Sequence, residues 1–185
     1  IHEEIELVSQ GSLGISFYPL DGTSPEELVK KADIAMYQAK QLGGRKVVHY
    51  HESMDASTQS LVKLEHHLNR AIEQGEIEVF YQPQLCCKTR RVLAVEALAR
   101  WHSDTLGCVP PSQFIQVAEN AGLISRLGEY ILNRVCRDVQ QSSWLQSMNH
   151  ISVNISAKQL VQPYFADDIV QTILNYRLPL SLFCI

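Results

Sequence analysis

Val95-Glu96-Ala97-Leu98-Ala99-Arg100-Trp101 has the composition of a β-strand buried on both faces, yet it carries two charges. The preceding Arg91-Val92-Leu93-Ala94 extends the apolar run, as in the strands of a covered sheet or barrel. Side chains alternate along a strand, so Glu96, Leu98 and Arg100 share one face. Four residues at roughly 3.3 Å each separate the two charges by about 13 Å, so they cannot pair with each other.

Glu96 therefore needs a partner from elsewhere in the fold. A buried carboxylate without a partner is costly, so we expect it to meet a cation, a metal ion or a hydrogen-bond donor. The structural alternative is that Glu96 lies at a strand end and forms a salt bridge with a distant lysine or arginine. Spacing alone leaves these two interpretations open, because structural ion pairs have the same sequence pattern.

The segment before this strand predicts its partner. Residues 77–85 alternate, with Ile77, Val79 and Tyr81 on one face and the more polar positions, including Gln82, on the other. The connection that follows, 86–90, is five residues long, whereas a parallel crossover usually needs a dozen or more. The two strands are therefore predicted to form an antiparallel hairpin.

Helices and strands alternate after this hairpin. Apolar spacing predicts helices over about 61–74, 111–121, 124–139 and 165–176, a strand over 150–156 and the start of another at 180–185. This order indicates a parallel α/β architecture. Residues 61–185 amount to about half of the roughly 250 residues of a TIM barrel. Glu119, within the first pair of helices after the hairpin, is expected to be a surface charge.

The strand over 150–156 has a polar row, Ser152, Asn154 and Ser156, opposite its apolar row. One interpretation is structural, with Ser156 capping the next turn and Asn154 bonding to the backbone. The other is that this row is aimed at a ligand. The pattern alone does not decide between them.

The first fifty residues predict a strand–helix–strand unit. The strands are expected at 12–18 and 46–50, and the helix begins after Ser24, which forms a capping box with Pro25 and Glu27. Residues 51–59 are polar and form either an interdomain connection or the frayed start of the next helix.

Composition excludes several classes of function. The 185 residues carry a net charge of −4 without a lysine- or arginine-rich block, so nothing indicates binding to duplex nucleic acid. This stretch contains neither a signal peptide nor an apolar run of the roughly 20 residues that a membrane span needs. Five cysteines without C-x-x-C spacing argue against a zinc site and suit a reducing, cytoplasmic location.

Four segments resemble a known family. Glu96-Ala97-Leu98-Ala99-Arg100-Trp101 resembles the signature of the EAL family of cyclic-di-GMP phosphodiesterases, with Ala99 where the family often has leucine. Tyr81-Gln82-Pro83 one short turn earlier matches the family's hairpin, and the pair is more specific than either part. Residues 110–124 resemble the family segment P-x-x-F-I-x-x-A-E-x-x-G-L-I, and 152–156 resemble its V-N-L/I-S strand.

The N-terminal region resembles the end of another domain. Residues 32–40, Ala-Asp-Ile-Ala-Met-Tyr-Gln-Ala-Lys, resemble the helix near the C-terminus of a GGDEF, or diguanylate cyclase, domain. The motif that gives that domain its chemistry would lie upstream of Ile1, so no cyclase activity is assigned. The expected organisation is the end of a nucleotidyl-cyclase-like α/β domain at 1–50, a linker at 51–60 and the first half of an EAL domain at 61–185.

The EAL resemblance implies a fold, a reaction and a site. The fold is a TIM-type (β/α)8 barrel whose first strand is antiparallel, with the site at strand carboxyl ends, near which both Glu96 and Asn154 are expected. The implied reaction is metal-dependent hydrolysis of cyclic-di-GMP to the linear dinucleotide in bacterial signalling. Glu96 is the implied catalytic residue, Glu96 and Asn154 are the metal ligands, and Gln82, Leu98 and Arg100 contact the substrate. Hard oxygen donors without clustered cysteine or histidine favour Mg²⁺ or Mn²⁺ over zinc.

The resemblance also implies ligands beyond Ile185, so the 185-residue piece is expected to be inactive alone. The alternative is a degenerate EAL domain that binds cyclic-di-GMP as a receptor without cleaving it, and a third reading is an interaction module that uses only the fold. Further expectations are a homodimer through the EAL domain and a cytoplasmic parent protein that an upstream region can anchor to a membrane.

Overall fold

The computed structural model describes residues 11–185, apart from the side chains of Gln41 and of residues 56–59. The chain divides into two compact units, residues 1–64 and residues 65–185. The beginning of the predicted first domain, residues 1–10, lies outside the described residues. Both units combine helices with strands, so the predicted α/β class is confirmed.

The first unit contains the predicted strand–helix–strand arrangement. Strand β1 (Leu13–Ile15) pairs in parallel with β2 (Val47–His49), and helix α1 (Pro25–Gln41) connects them. The Ser24 side chain caps α1 by accepting a hydrogen bond from the Glu27 N–H at 3.2 Å. Both strands are shorter than predicted. Gly14 lets β1 approach α1, because a Cβ there would overlap the helix backbone.

Helix α2 (Ser53–Gln74) begins inside the segment for which two interpretations were open. Residues 53–60 are therefore the start of this helix rather than an irregular connection. Near its first turn, the Tyr50 hydroxyl donates to Asp55 Oδ2 at 2.8 Å. The helix ends at Gly75, whose φ of +78° favours glycine.

The second unit contains the remaining elements. Its strands are β3 (Ile77–Leu85), β4 (Val92–Ser103), β5 (Gly107–Val109), β6 (His150–Val153) and β7 (Phe183–Cys184). Its helices are α3 (Pro111–Asn120), α4 (Ile124–Gln141), α5 (Ser143–Gln146), α6 (Ala157–Leu160) and α7 (Phe165–Asn175), with a 3₁₀ turn at Leu180–Leu182. The short elements β5, α5 and α6 were not predicted. Within residues 11–185, none of the helices combines the length and apolar character that a membrane span requires.

The sheet of the second unit has the strand order β3-β4-β6-β7, with β5 pairing to β4. The β3–β4 pair is an antiparallel hairpin, as predicted, and the pairs β4–β6 and β6–β7 are parallel. The hairpin turn closes with hydrogen bonds from the Cys86 N–H to the Arg91 carbonyl and from the Arg90 N–H to the Cys86 carbonyl. One antiparallel strand followed by parallel strands and intervening helices is the predicted first half of the barrel.

The apolar core lies between one face of this sheet and the helices. Val95 and Ala97 of β4 are buried there, as are Ile151 and Val153 of β6. The helical side of the core is formed mainly by α4 and α7 through Leu132, Val135, Cys136, Val139 and Ile173. Because strand side chains alternate, Glu96 must point to the opposite face of the sheet.

Candidate functional site

Glu96 and Asn154 meet on the sheet face opposite the core. Strands β4 and β6 run parallel with Glu96 beside Ser152, and Asn154 is the first residue after β6. Asn154 Nδ2 donates a hydrogen bond to Glu96 Oε1 at 2.7 Å. The half-buried Glu96 carboxylate thus has a hydrogen-bond donor from another strand connection, which is one of the partners expected from the sequence. Within residues 11–185, no salt bridge of Glu96 to a lysine or arginine is found.

The two residues occupy different positions on their strands. Asn154 directly follows the last residue of β6, as expected for a site at strand carboxyl ends. Glu96 lies near the middle of β4, so its expected place near a strand end was wrong. The reason is that β4 continues past the end of β6 and pairs with β5 from Trp101 to Ser103. The part of β4 that pairs with β6 ends at Ala97, directly after Glu96.

Gln82 joins this pair through the hairpin register. It lies directly opposite Glu96 on the neighbouring strand, and such cross-strand pairs have side chains within contact distance on one face. Leu98 lies in the next row of the same face, opposite Phe80, whose side chain is 52% exposed. The structure therefore brings Gln82, Glu96 and Asn154 together and places Leu98 beside them.

Arg100 lies two rows from Glu96 on the same face, about 13 Å along the strand. Its guanidinium does not face the cluster, because Nη1 donates to the carbonyl oxygen of Ala99 at 2.8 Å. Glu78 lies opposite Arg100 in the register, but the described residues contain no ion pair between them. Arg100 thus shares the face with the other candidates without contacting them.

The donor set fits a hard divalent cation. Glu96 offers carboxylate oxygens, and the Asn154 amide offers an oxygen on the same planar group as the nitrogen that donates to Glu96. Among residues 11–185, no cluster of three or more histidine, cysteine, aspartate or glutamate side chains could hold a metal. Mg²⁺ is typically bound through one or two carboxylates and keeps several waters, so two oxygen donors fit it. Zinc sites are built mainly from cysteine and histidine, and this pair contains neither.

Tyr81, the neighbour of Gln82, faces the other way. Its hydroxyl donates to Asp138 Oδ2 on α4 at 2.9 Å, and Arg134 Nε donates to Asp138 Oδ1 at 3.1 Å. Burial and the hydrogen bond to Asp138 raise the pKa of Tyr81 above its ordinary range, so the phenol stays neutral. Tyr81 therefore anchors β3 to the helical layer, while Gln82 projects to the candidate site.

Glu119 and Ser156 form a contact that the sequence pattern did not predict. Glu119 is half-buried at the end of α3, and Ser156 Oγ donates to Glu119 Oε1 at 2.5 Å. The expectation that Glu119 is a surface charge was therefore wrong. Ser156 also caps α6, as one interpretation predicted. No local pattern links two residues 37 positions apart, so only the folded chain reveals their contact.

The fold and the cluster define the class of protein. An α/β barrel sheet with polar side chains where its parallel strands end is the arrangement of barrel proteins that bind ligands at that face. The chain belongs to the EAL domain family, which matches residues 65–185. The diguanylate cyclase, GGDEF domain family matches residues 1–46, so the end of a GGDEF domain precedes the EAL domain.

Two curated proteins of Pseudomonas aeruginosa are similar to this chain. The chain is 35% identical over 176 residues to the bifunctional diguanylate cyclase/cyclic di-GMP phosphodiesterase MucR of Pseudomonas aeruginosa, covering 94% of this chain and 25% of that protein. It is 32% identical over 167 residues to the cyclic di-GMP phosphodiesterase NbdA of the same species, covering 88% of this chain and 21% of that protein. The chain thus spans about a quarter of the length of these relatives.

Solved structures of EAL domains resemble the fold. The structure of the MucR phosphodiesterase in complex with c-di-GMP has a TM-score of 0.60 and 32% identity, covering 65% of this chain and 49% of that one. The cAMP-bound EAL enzyme Bd1971 has a TM-score of 0.62 and 26% identity, covering 69% of this chain and 37% of that one.

Proposed function

We propose that the protein to which this chain belongs hydrolyses cyclic-di-GMP to the linear dinucleotide in a metal-dependent reaction. The observation that supports this most directly is the 2.7 Å contact between Glu96 and Asn154. It joins two oxygen-bearing side chains from adjacent parallel strands in a chain of the EAL family. The similarity to MucR, solved with c-di-GMP, supports the same substrate.

Each site residue has a proposed role. Glu96 and Asn154 would hold Mg²⁺ or Mn²⁺, and Glu96 is thereby the catalytic residue. When bound, such an ion supplies Lewis-acid stabilisation of the phosphodiester and an activated water. Gln82, opposite Glu96, orients the ligand by hydrogen bonding through its amide, and Leu98 contacts the ligand with its apolar side chain.

Arg100 is proposed to bind a phosphate oxygen of the substrate. In the structure its guanidinium donates to a neutral carbonyl, that of Ala99. A phosphate carries negative charge and can accept two parallel hydrogen bonds from a guanidinium, which a single neutral carbonyl cannot, so a phosphate competes well for this side chain. Rotation of Arg100 away from its own strand would bring the guanidinium to the open face that carries Glu96.

The setting of the reaction is also a proposal. We expect it to take place in the cytoplasm, in a parent protein that an upstream region can anchor to a membrane. We also expect the EAL domain to form a homodimer. Size-exclusion chromatography with light scattering on the full-length protein tests the second expectation, which a monomeric mass would contradict.

The test of the function uses the purified full-length protein with Mg²⁺ or Mn²⁺ and cyclic-di-GMP. We expect linear dinucleotide to form, and EDTA to abolish it. Glu96→Gln removes a charged ligand of the proposed ion and should reduce the rate by about 100-fold or more. The matched control is Glu129→Gln, since Glu129 is an exposed glutamate of α4 on the helical side of the sheet. Equal rates for Glu96→Gln and this control would contradict the proposal.

The main alternative is a receptor that binds cyclic-di-GMP without cleaving it. It is favoured by one observation: among residues 11–185, no cluster of three or more histidine, cysteine, aspartate or glutamate side chains could hold a metal. In the same assay, a receptor would bind cyclic-di-GMP tightly in calorimetry but form no product with either metal. An interaction module that uses only the fold would show neither binding nor hydrolysis, and Glu96→Gln would change nothing.

A further inference from the structure

Residues 154–156 carry a candidate metal ligand but lie outside the sheet. Strand β6 ends at Val153, and its register with β4 ends there too, so the segment from Asn154 to Ser156 is not part of that strand. Local bonds fix only its distal end, where the Ser156 N–H donates to Gln159 Oε1 at 3.1 Å and the Lys158 N–H donates to Ser156 Oγ at 3.2 Å. The position of this segment relative to β4 must come from contacts with other elements.

Glu119 supplies two of those contacts from the last turn of α3. Its carboxylate accepts the Ser156 hydroxyl hydrogen at an oxygen–oxygen distance of 2.5 Å. Its backbone carbonyl accepts a hydrogen bond from Lys158 Nζ at 2.9 Å. A hydroxyl has one donor and two acceptor sites, so Ser156 bonds to Glu119 and caps α6 at the same time.

The other side of the segment rests on α4. Gln159, which completes the capping box with Ser156, is only 3% exposed although it is polar. Its side-chain amide lies against Gly128, where even a methyl group would overlap it. The turn that follows Asn154 is therefore held between α3 and α4, and a carboxylate on α3 provides its charged contact.

We propose that Glu119 is a positioning residue for the pair formed by Glu96 and Asn154, an inference that rests on the proposed function. Asn154 and Ser156 are two residues apart in extended chain, a separation of roughly 6.6 Å, so movement of Ser156 is passed directly to Asn154. Among the described residues, Glu119 forms no hydrogen bond or ion pair with Glu96 or Asn154, so it acts through Ser156. By fixing Ser156, it keeps the Asn154 amide within reach of the Glu96 carboxylate.

The experiment measures Mn²⁺ affinity of the full-length protein from the electron paramagnetic resonance signal of free Mn²⁺. The Mn²⁺ binding assigned to this site is the binding that the unchanged protein shows and Asn154→Ala lacks. Loss of a residue that orients a metal ligand typically weakens metal binding by about 10- to 100-fold, and we expect this for Glu119→Ala. Glu119→Gln keeps an acceptor oxygen for Ser156 and should stay within about threefold of the unchanged protein.

Two comparisons separate positioning from general destabilisation. Glu129→Ala, at an exposed position of α4, should leave Mn²⁺ affinity unchanged. In the Asn154→Ala background, Glu119→Ala should cause no further loss, because its effect passes through Asn154. Thermal unfolding of each variant shows whether it is folded. If Glu119→Ala does not fold, Ser156→Ala removes the same hydrogen bond from the other partner, and the same results are expected.

The inference is overturned if Glu119→Ala binds Mn²⁺ as tightly as Glu129→Ala. It is also overturned if the loss of Mn²⁺ affinity in Glu119→Ala adds fully to the loss in Asn154→Ala when the two substitutions are combined. Hydrolysis of cyclic-di-GMP, assayed on the same samples, distinguishes this failure from failure of the proposed function. If the unchanged protein hydrolyses cyclic-di-GMP and Glu119→Ala changes neither Mn²⁺ affinity nor hydrolysis, only the positioning role of Glu119 is contradicted. If Mn²⁺ binding depends on Glu119 but the unchanged protein does not hydrolyse cyclic-di-GMP, only the proposed hydrolytic function is contradicted. Absence of Mn²⁺ binding and of hydrolysis in the unchanged protein contradicts both.

Discussion

Adjacent residues of β3 belong to different environments. The Tyr81 hydroxyl is bonded to Asp138 among the helices, whereas Gln82 lies opposite Glu96 on the other face of the sheet. Alternation along a strand makes this division unavoidable, since successive side chains point to opposite faces. Two adjacent residues of one sequence motif can therefore have different roles, one in stabilising the fold and one in binding the ligand.

Substitutions at these two positions should have separable effects. Tyr81→Phe removes one hydrogen bond to the carboxylate of Asp138 and should lower the free energy of unfolding by about 1–2 kcal/mol, with unchanged affinity for cyclic-di-GMP. Gln82→Ala should weaken that affinity by about tenfold and leave stability nearly unchanged, because Gln82 is exposed. Thermal unfolding and calorimetric titration of the full-length variants measure the two quantities. A loss of affinity in Tyr81→Phe as large as that in Gln82→Ala would contradict this division.

Among the elements, α6 shows how a very short helix is stabilised. Four residues are too few to form a helix on their own, because nucleation is costly. The capping box between Ser156 and Gln159 satisfies its first backbone donors, and burial of Gln159 against Gly128 attaches it to α4. The helix exists because its neighbours hold it, and it in turn holds the residues that follow β6.

The effect of Gly128→Ala on the free energy of unfolding should depend on residue 159 and change sign when Gln159 is replaced. Alanine is favoured over glycine inside a helix by about 1 kcal/mol, but here the added methyl displaces the buried Gln159 side chain. The lost hydrogen bond and burial cost about 1–3 kcal/mol, so we expect net destabilisation. In a Gln159→Ala background the space is free, and the same substitution should stabilise by up to about 1 kcal/mol. Thermal unfolding of the four proteins tests this, and destabilisation of equal size in both backgrounds would show that Gln159 is not the obstacle.

Over the whole molecule, the second unit is a sheet with one covered and one open face. The strands β3, β4, β6 and β7 carry helices on the core side, and the polar cluster lies on the other. In a barrel that other face is the interior. Within the described part of the chain, no cluster of three or more histidine, cysteine, aspartate or glutamate side chains could hold a metal, and a two-metal hydrolytic site needs several such ligands.

The 185-residue chain produced alone should therefore not hydrolyse cyclic-di-GMP, whereas the full-length protein should. The comparison uses equal molar amounts with Mn²⁺ and detects the linear dinucleotide by chromatography. Thermal unfolding of the short chain shows separately whether it folds. If the short chain hydrolyses cyclic-di-GMP at a rate near that of the full-length protein, this prediction is wrong. The 185 residues would then supply all the groups that the reaction needs.

Much of the fold could be predicted because its elements have local causes. The alternation of 77–85 and the short turn after it required an antiparallel hairpin, and β3 has those bounds. Ser24 and Gly75 mark helix ends through capping and positive φ, which depend on neighbouring residues alone. The predictions for β1, β2 and β6 were too long, since an alternating pattern continues past the residues that actually pair with a neighbouring strand. The domain boundaries near 50 and 60, and the site roles of individual residues, stay predictions.

The sequence by itself determined the family, the hairpin, the alternating architecture and the need of Glu96 for a partner, because each depends on patterns within a few residues or on motifs. Tertiary structure decided that this partner is the Asn154 amide, that Arg100 bonds to its own strand and that Glu119 holds Ser156. Those facts join residues up to 58 positions apart. The physical reason is that strand pairing and helix packing set distances between such residues, and no local propensity encodes them.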